Sequence, residues 1–215
     1  MTDSTCAVPG ERRRRGVARW FRCVVAASVV LGLAGCASAP DIRYYRVVVP
    51  LPSPAADSPI PATLGVARLL APEPCRQERI LYRASPYRVE YYAADRWEVP
   101  PADMVQEALF ASLRSSGRFR RVVAWRRGEA DYRLETRLQR FEEVDEVDGW
   151  YGVVDLEYEV VDGEGRSLTR GVSQQRVRAE THSVEGVVAA LSRALAVGLD
   201  EITRGTATAL RAAAR

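Results

Sequence analysis

Two stretches of strict alternation constrain this chain more than anything else in it. Across residues 131–140, Tyr132, Leu134, Thr136 and Leu138 point one way, and Arg133, Glu135, Arg137 and Gln139 point the other. Across residues 154–160, Val154, Leu156, Tyr158 and Val160 alternate with Asp155, Glu157 and Glu159. A period of two sends successive side chains to opposite faces of a sheet, so each run describes a strand with one dry face and one wet face. Such strands belong to antiparallel sheets covered on one side only. Their wet faces carry Arg and Glu, which suits cross-strand pairs worth about 0.2–1 kcal/mol each.

The dry faces need a cover, and two helical stretches supply it. Pro100 and Pro101 open the first, since the missing N–H of proline has no partner in a first turn anyway. Val105, Ala108, Leu109, Ser112 and Leu113 then share one face, and Gly117 predicts the stop. The second helix is expected from about Val184 to Leu210, with Ser183 as its N-cap. Val184, Val187, Val188, Leu191, Leu195, Leu199 and Ile202 form its apolar stripe. Its polar face is not strongly basic, so it should pack on a sheet rather than lie on a membrane.

Further strands are expected at Arg43–Val49, Thr63–Leu69, Phe119–Trp125 and residues 167–178, the last after a turn at Asp162-Gly163-Glu164-Gly165. Glu78–Arg83 and Tyr87–Tyr92 read as a hairpin turning at Ser85-Pro86. Pro50, Pro52, Pro54, Pro59 and Pro61 exclude helix and inner strand, and predict an exposed, semi-rigid connector. Strands, helix, strands, helix make an α+β domain: a largely antiparallel sheet with two helices packed on one face.

The amino end is of another kind. Arg12–Arg15, Arg19 and Arg22 precede an apolar run, Val24–Gly35, of 12 residues. A spanning helix needs about 20, so the run reads as the core of a secretory signal peptide. Four consecutive arginines hint at twin-arginine export, but no other part of such a motif follows. Leu33-Ala34-Gly35-Cys36 resembles the bacterial lipobox. That resemblance implies a diacylglycerol on the Cys36 thiol, cleavage just before Cys36, and a further acyl chain such as palmitate on the new amino end. Residues 1–35 are then the signal peptide. Residues 36–62 hold the lipid anchor, first strand and proline-rich connector, and residues 63–215 the remainder of a single domain.

Cleavage changes the charge. The whole chain has a formal net charge of +3, but residues 1–35 hold six Arg and two acids. What remains has 25 Arg, no Lys and 26 acids, a net of −1. Nucleic-acid binding argued from the overall basicity would rest on the leader alone. Cys6 and Cys23 leave with the leader and Cys36 would be lipidated, so Cys75 has no intramolecular partner. A buried, unreactive thiol is the expectation there.

Catalytic and metal-binding patterns are nearly missing. His182 is the one histidine and stands beside Ser183. Sequence neighbours rarely face each other, and no G-x-S-x-G elbow is present, so a loop histidine is expected rather than a hydrolase pair. Glu142, Glu143, Asp145, Glu146 and Asp148 put five acids in seven residues. They lack the glycine and terminal glutamate of an EF-hand and read as a solvated strand end or loop. No catalytic residue and no metal ligand is assigned. Tyr82, Tyr87, Tyr91, Tyr92 and Trp97 cluster with Arg79, Arg83, Arg88 and Arg96 between them. Tyr82 is expected in the core. Tyr91, Tyr92, Arg96 and Trp97 are either core and sheet surface or a partner-docking face, since Tyr, Trp and Arg are the usual interface anchors.

A wider pattern runs through the chain. R-I-L-Y-R (79–83), V-E-Y-Y (89–92) and R-W-E-V-P (96–100) precede a helix ending in A-S-L-R-S-S-G (111–117). F-R-R-V-V (119–123) and Y-R-L-E-T-R-L-Q-R-F-E (132–142) follow, and Tyr44 and Tyr45 stand shortly after the lipobox. In this order they resemble the auxiliary lipoproteins of ABC-type transport systems, the group that includes paraquat-inducible protein C. The resemblance implies a small, non-enzymatic periplasmic lipoprotein held at the outer membrane. It would work beside an ATPase, a permease and an MCE-domain protein in moving lipid between membranes, docking the outer end, with a homo-oligomeric ring as one form. Ala37, where a retention Asp would hold a lipoprotein at the inner membrane, agrees with the outer one. A lipid carrier, with an acyl chain enclosed by sheet and helices, is the alternative; a periplasmic hydrolase around His182 is a third reading.

Overall fold

In the computed structural model, which describes residues 41–214, the two alternating runs form the backbone of the sheet. They are β6 (Tyr132–Glu146) and β7 (Gly149–Asp162). They pair antiparallel from Tyr132 with Asp162 to Glu146 with Gly149. β8 (Ser167–Arg178) continues on the far side of β7, also antiparallel. The wet faces pair as expected, with Arg137 4.0 Å from Glu157 and Arg170 2.9 Å from Glu159.

The other edge of β6 is shared. β2 (Ile60–Val66) runs parallel to its first residues and carries β5 (Phe119–Ala124), parallel, on its outer side. β3 (Arg79–Ser85) runs parallel to β6 at Glu143 and Val144, and carries β4 (Arg88–Trp97) and then β1 (Arg43–Tyr45). Leu70 bridges the gap between the two branches: its N–H donates to Thr136 O (3.0 Å) and its carbonyl accepts from Leu138 N–H (2.8 Å). The sheet is therefore mixed. Its long ladders are antiparallel and its short junctions are parallel.

Helices α1 (Pro101–Ser115) and α2 (Val184–Ala213) cover the dry face, and the fold is α+β as the sequence predicts. Every residue of the expected α2 stripe is buried, against Leu134, Leu138, Val154 and Leu156. The Ser183 side chain accepts from Gly186 N–H at 3.1 Å and caps α2. Gly117, at φ 63°, ends α1.

Gly152 lets α2 approach the sheet. A Cβ there would stand 2.6 Å from Leu191 N and 2.9 Å from Ala190 C, both helix backbone atoms. Gly152→Ala should therefore cost about 1–3 kcal/mol, as overpacking does. Urea unfolding of the variant checks this.

Three local expectations are corrected. The strand predicted over Arg43–Val49 ends at Tyr45, because the chain turns away from β4 to cross α2. Val48 N–H donates to Ser192 Oγ (3.1 Å), and Val47 and Val49 pack on the core. Pro61 lies in an inner strand after all. Ile60 pairs with Phe119 and Thr63 with Arg121, a bulge that excuses proline from the ladder. The acidic run is not a solvated end: β6 continues through it, and Glu142 and Glu143 are 5 % and 1 % exposed. A bulge between Leu138 and Arg140 shifts the register there.

Candidate partner-docking surface

The hairpin β3–β4 holds all four side chains expected to face a partner. Its ladder breaks midway. Leu81 pairs with Tyr91 and Arg79 with Arg96, so Ile80 alone faces Tyr92–Asp95. The carbonyls freed by this wide bulge need donors, and Arg96 supplies them. Its Nη1 donates to Tyr92 O (2.7 Å) and Asp95 O (2.8 Å), and its Nη2 to Ala93 O (3.0 Å). Arg96 thus holds the bulge together.

The bulge swings Tyr92 over the end of β6. Its Oη donates to Glu143 Oε2 at 2.8 Å, and its ring tilts against Tyr82 with centroids 4.9 Å apart. Tyr82, expected in the core, is half-buried and donates to Glu90. Burial pushes the Glu143 carboxyl up to about 8 from its ordinary 4.5, with Asp145 adding to the rise and the Tyr92 hydroxyl opposing it. Glu142 points elsewhere. It accepts from Arg83 Nε (3.1 Å) and Nη2 (3.0 Å), and from Arg140 Nε (2.8 Å) and Nη2 (2.6 Å). The acids of this run serve separate networks.

Past the bulge β4 turns inward again. Trp97 is 1 % exposed and packs edge-on against Phe141, centroids 5.5 Å apart. It belongs to the core of the described residues. Tyr91 lies half-buried beneath the Arg79 guanidinium, 4.0 Å from the ring centroid. Tyr87, at the hairpin tip, is 97 % exposed, and Val89 42 %. The accessible part of the hairpin is its tip and the Tyr91–Tyr92 stretch.

The chain enters beside this region. β1 pairs with residues 95–97, Arg43 Nε lies 2.8 Å from Asp95 Oδ1, and Tyr45 Oη donates to Glu185 Oε1 (3.0 Å) in the first turn of α2. Cys36 and the lipobox residues Leu33, Ala34 and Gly35 lie outside the described residues.

No pairing joins His182 to Ser183. The His182 ring stacks on Trp150 (5.2 Å), and the Ser183 hydroxyl is taken up as the α2 cap. Cys75 is free and buried, its thiol pushed up to about 12 by burial. A groove of about 1190 Å³ runs between α1 and residues 66–71, with Leu69, Phe110 and Trp125 among its walls.

Protein XCC0632 from Xanthomonas campestris has the same fold, with a TM-score of 0.73 at 20 % identity over 80 % of this chain and 99 % of that one. An uncharacterized protein scores 0.64 at 16 % identity, over 77 % and 99 %. Hypothetical protein CT253 from Chlamydia trachomatis scores 0.51 at 7 %, over 71 % and 99 %. At these identities the likeness is one of fold. The comparison with curated proteins gives no match. Residues 45–203, from the end of β1 well into α2, match the model of the ABC-type transport auxiliary lipoprotein component, and the chain belongs to that family.

Proposed function

We propose that this chain is a non-catalytic, outer-membrane-anchored docking subunit of an MCE-type ABC system that moves lipid between the inner and outer membranes. Lipid on Cys36 would hold it, since each buried CH₂ contributes about 0.8 kcal/mol and two or more long chains anchor stably. Arg43 is seven positions after Cys36, so β1 would lie within roughly 25 Å of the bilayer. Permease and ATPase would be reached only through the MCE-domain protein. Several copies assembling at the docking end belong to the same reading.

The observation that carries docking over carriage is the closed interface of sheet and helix. Leu191, Leu195 and Leu199 are at most 1 % exposed, and α2 touches β7 at Gly152 through its backbone. An acyl chain has no room there. The groove beside α1 favours the carrier reading, so the test must separate the two. Mass spectrometry of the intact chain, isolated gently from its native envelope, is expected to show a species starting at acylated Cys36. The MCE-domain protein should be retained, with no lipid beyond the anchor. One extra lipid per chain without that partner would establish the carrier, and an unmodified Cys36 would remove the anchor.

A further inference from the structure

Residues 114–128 contain six arginines, Arg114, Arg118, Arg120, Arg121, Arg126 and Arg127, and no acid. The rest of the chain from Cys36 onward has 19 Arg against 26 acids. This concentration falls on β5 and its flanks, and β5 is the last strand on its side of the sheet among the described residues. All but the half-buried Arg118 are exposed.

Pairing sets these arginines apart. Elsewhere Arg43, Arg83, Arg140, Arg166, Arg170 and Arg176 each have a carboxylate within 3.0 Å. Among the described residues, the one ion pair of the cluster is Arg126 with Glu129, at 4.0 Å. Arg114 is partly engaged, its Nε donating to Val122 O (3.3 Å). Neighbouring like charges repel, and that cost is relieved when an oppositely charged surface arrives. Charged side chains also guard sheet edges against stray pairing. That accounts for Arg120 and Arg121 on the strand, but not for Arg114, Arg118, Arg126 and Arg127 beyond its ends.

We propose that the β5 edge and the adjoining groove dock an acidic, extended segment of a partner protein. The groove beside α1 carries Leu69, Leu70, Phe110 and Trp125; its charged lining, Arg68, Arg76 and Arg114 against Asp103 and Glu107, is mixed, so the charge selectivity lies on the β5 edge. Acidic residues would meet the arginines while interspersed apolar ones fill the groove.

A protein is favoured over a bilayer by position. The chain enters β1 next to the first turn of α2. The basic edge is joined to the other end: Ala55 N–H donates to Ser116 O (2.8 Å), and Asp57 pairs with Arg211 (3.1 Å) in the last turn of α2. α2 has 30 residues, about 45 Å of helix. The basic edge is thus held well away from the entering chain. Choosing a protein rests on the docking reading above; the charge argument does not.

The test uses the full chain, purified in zwitterionic nanodiscs, and two labelled decapeptides, alternating Glu–Leu and alternating Lys–Leu. By fluorescence anisotropy the Glu–Leu peptide should bind and the Lys–Leu peptide should not. An Arg120→Ser, Arg121→Ser, Arg127→Ser variant, with an unchanged melting curve because all three are exposed, should bind the Glu–Leu peptide at least 10-fold more weakly and with a flatter salt dependence. No binding of the Glu–Leu peptide, or equal binding by the variant, overturns the proposal. So does binding of phosphatidylglycerol vesicles without the peptide, which would assign the edge to a lipid surface. An MCE-domain complex that survives the triple substitution overturns this proposal and leaves the docking reading standing.

Discussion

Replacing Trp97 with Ala is expected to destabilise the domain by about 3–5 kcal/mol, as removing a large buried aromatic does. For a chain of this size that is a fall of roughly 6–20 °C in melting temperature. The indole is 1 % exposed, meets Phe141 edge-on, and sits where β4, β3 and β1 converge: the Trp97 backbone N–H donates to Glu78 O (2.6 Å), and Trp97 pairs with Tyr45. Removing it leaves a cavity under the strand through which the chain enters the fold. Tyr91→Ala is the control. It removes a half-buried ring and its Arg79 contact and should cost about 1 kcal/mol. Thermal melts of both variants check the contrast. A Trp97→Ala melt within about 2 °C of the parent would take the indole out of the core.

That contrast marks how far the sequence could be read. Wherever partners are consecutive, local pattern was enough: the alternation of β6 and β7, the Ser85-Pro86 turn, and both helices with their stripes and stops. Every residue of the α2 stripe is buried, but the small residues Ala190, Gly198 and Gly205 also meet the sheet, and Glu201 accepts a hydrogen bond from Ser173 on β8. Three things had no local signature. The parallel junctions of β2 and β3 with β6 join segments far apart in sequence, so no turn announces them. The bulges after Leu138 and facing Ile80 are register events. The one after Leu138 carries Glu142 and Glu143 into a buried strand, although five acids in seven residues read as solvated. The one facing Ile80 separates four similar-looking candidates. Tyr91 and Tyr92 stay accessible, Arg96 is used up on freed carbonyls, and Trp97 turns inward. The arginine cluster on β5 is different again, since counting charges by segment reveals it but only the ion pairs show that it is uncompensated.

The buried Glu143 should give the protein a pH dependence opposite in sign to that of a salt-bridged acid. Its folded-state value, about 8, lies above its ordinary 4.5. Between these values the folded chain keeps a proton that the unfolded chain has released. Stability therefore falls as pH rises from about 4.5 to about 8, and is flat with respect to this group on either side. The full swing is on the order of 3–5 kcal/mol. Glu143→Gln keeps the acceptor for Tyr92 Oη and puts an uncharged amide where the proton was, so it should remove this slope. The variant should match the parent near pH 5 and exceed it at pH 9, in urea unfolding at both. Parallel profiles for the two proteins would mean that Glu143 is ionised in the fold. Tyr92→Phe is an independent check. The Tyr92 hydroxyl favours the ionised carboxylate, so its removal should move the falling limb to higher pH. Glu143 Oε1 and Asp145 Oδ1 are both buried without a hydrogen-bond partner. Ionising Glu143 therefore sets it against Asp145, each with one buried oxygen that no donor meets, under the Tyr82–Tyr92 pair at the base of the hairpin whose tip is exposed. Alkaline conditions should loosen that hairpin first, read as faster amide exchange in β3 and β4 than in β7.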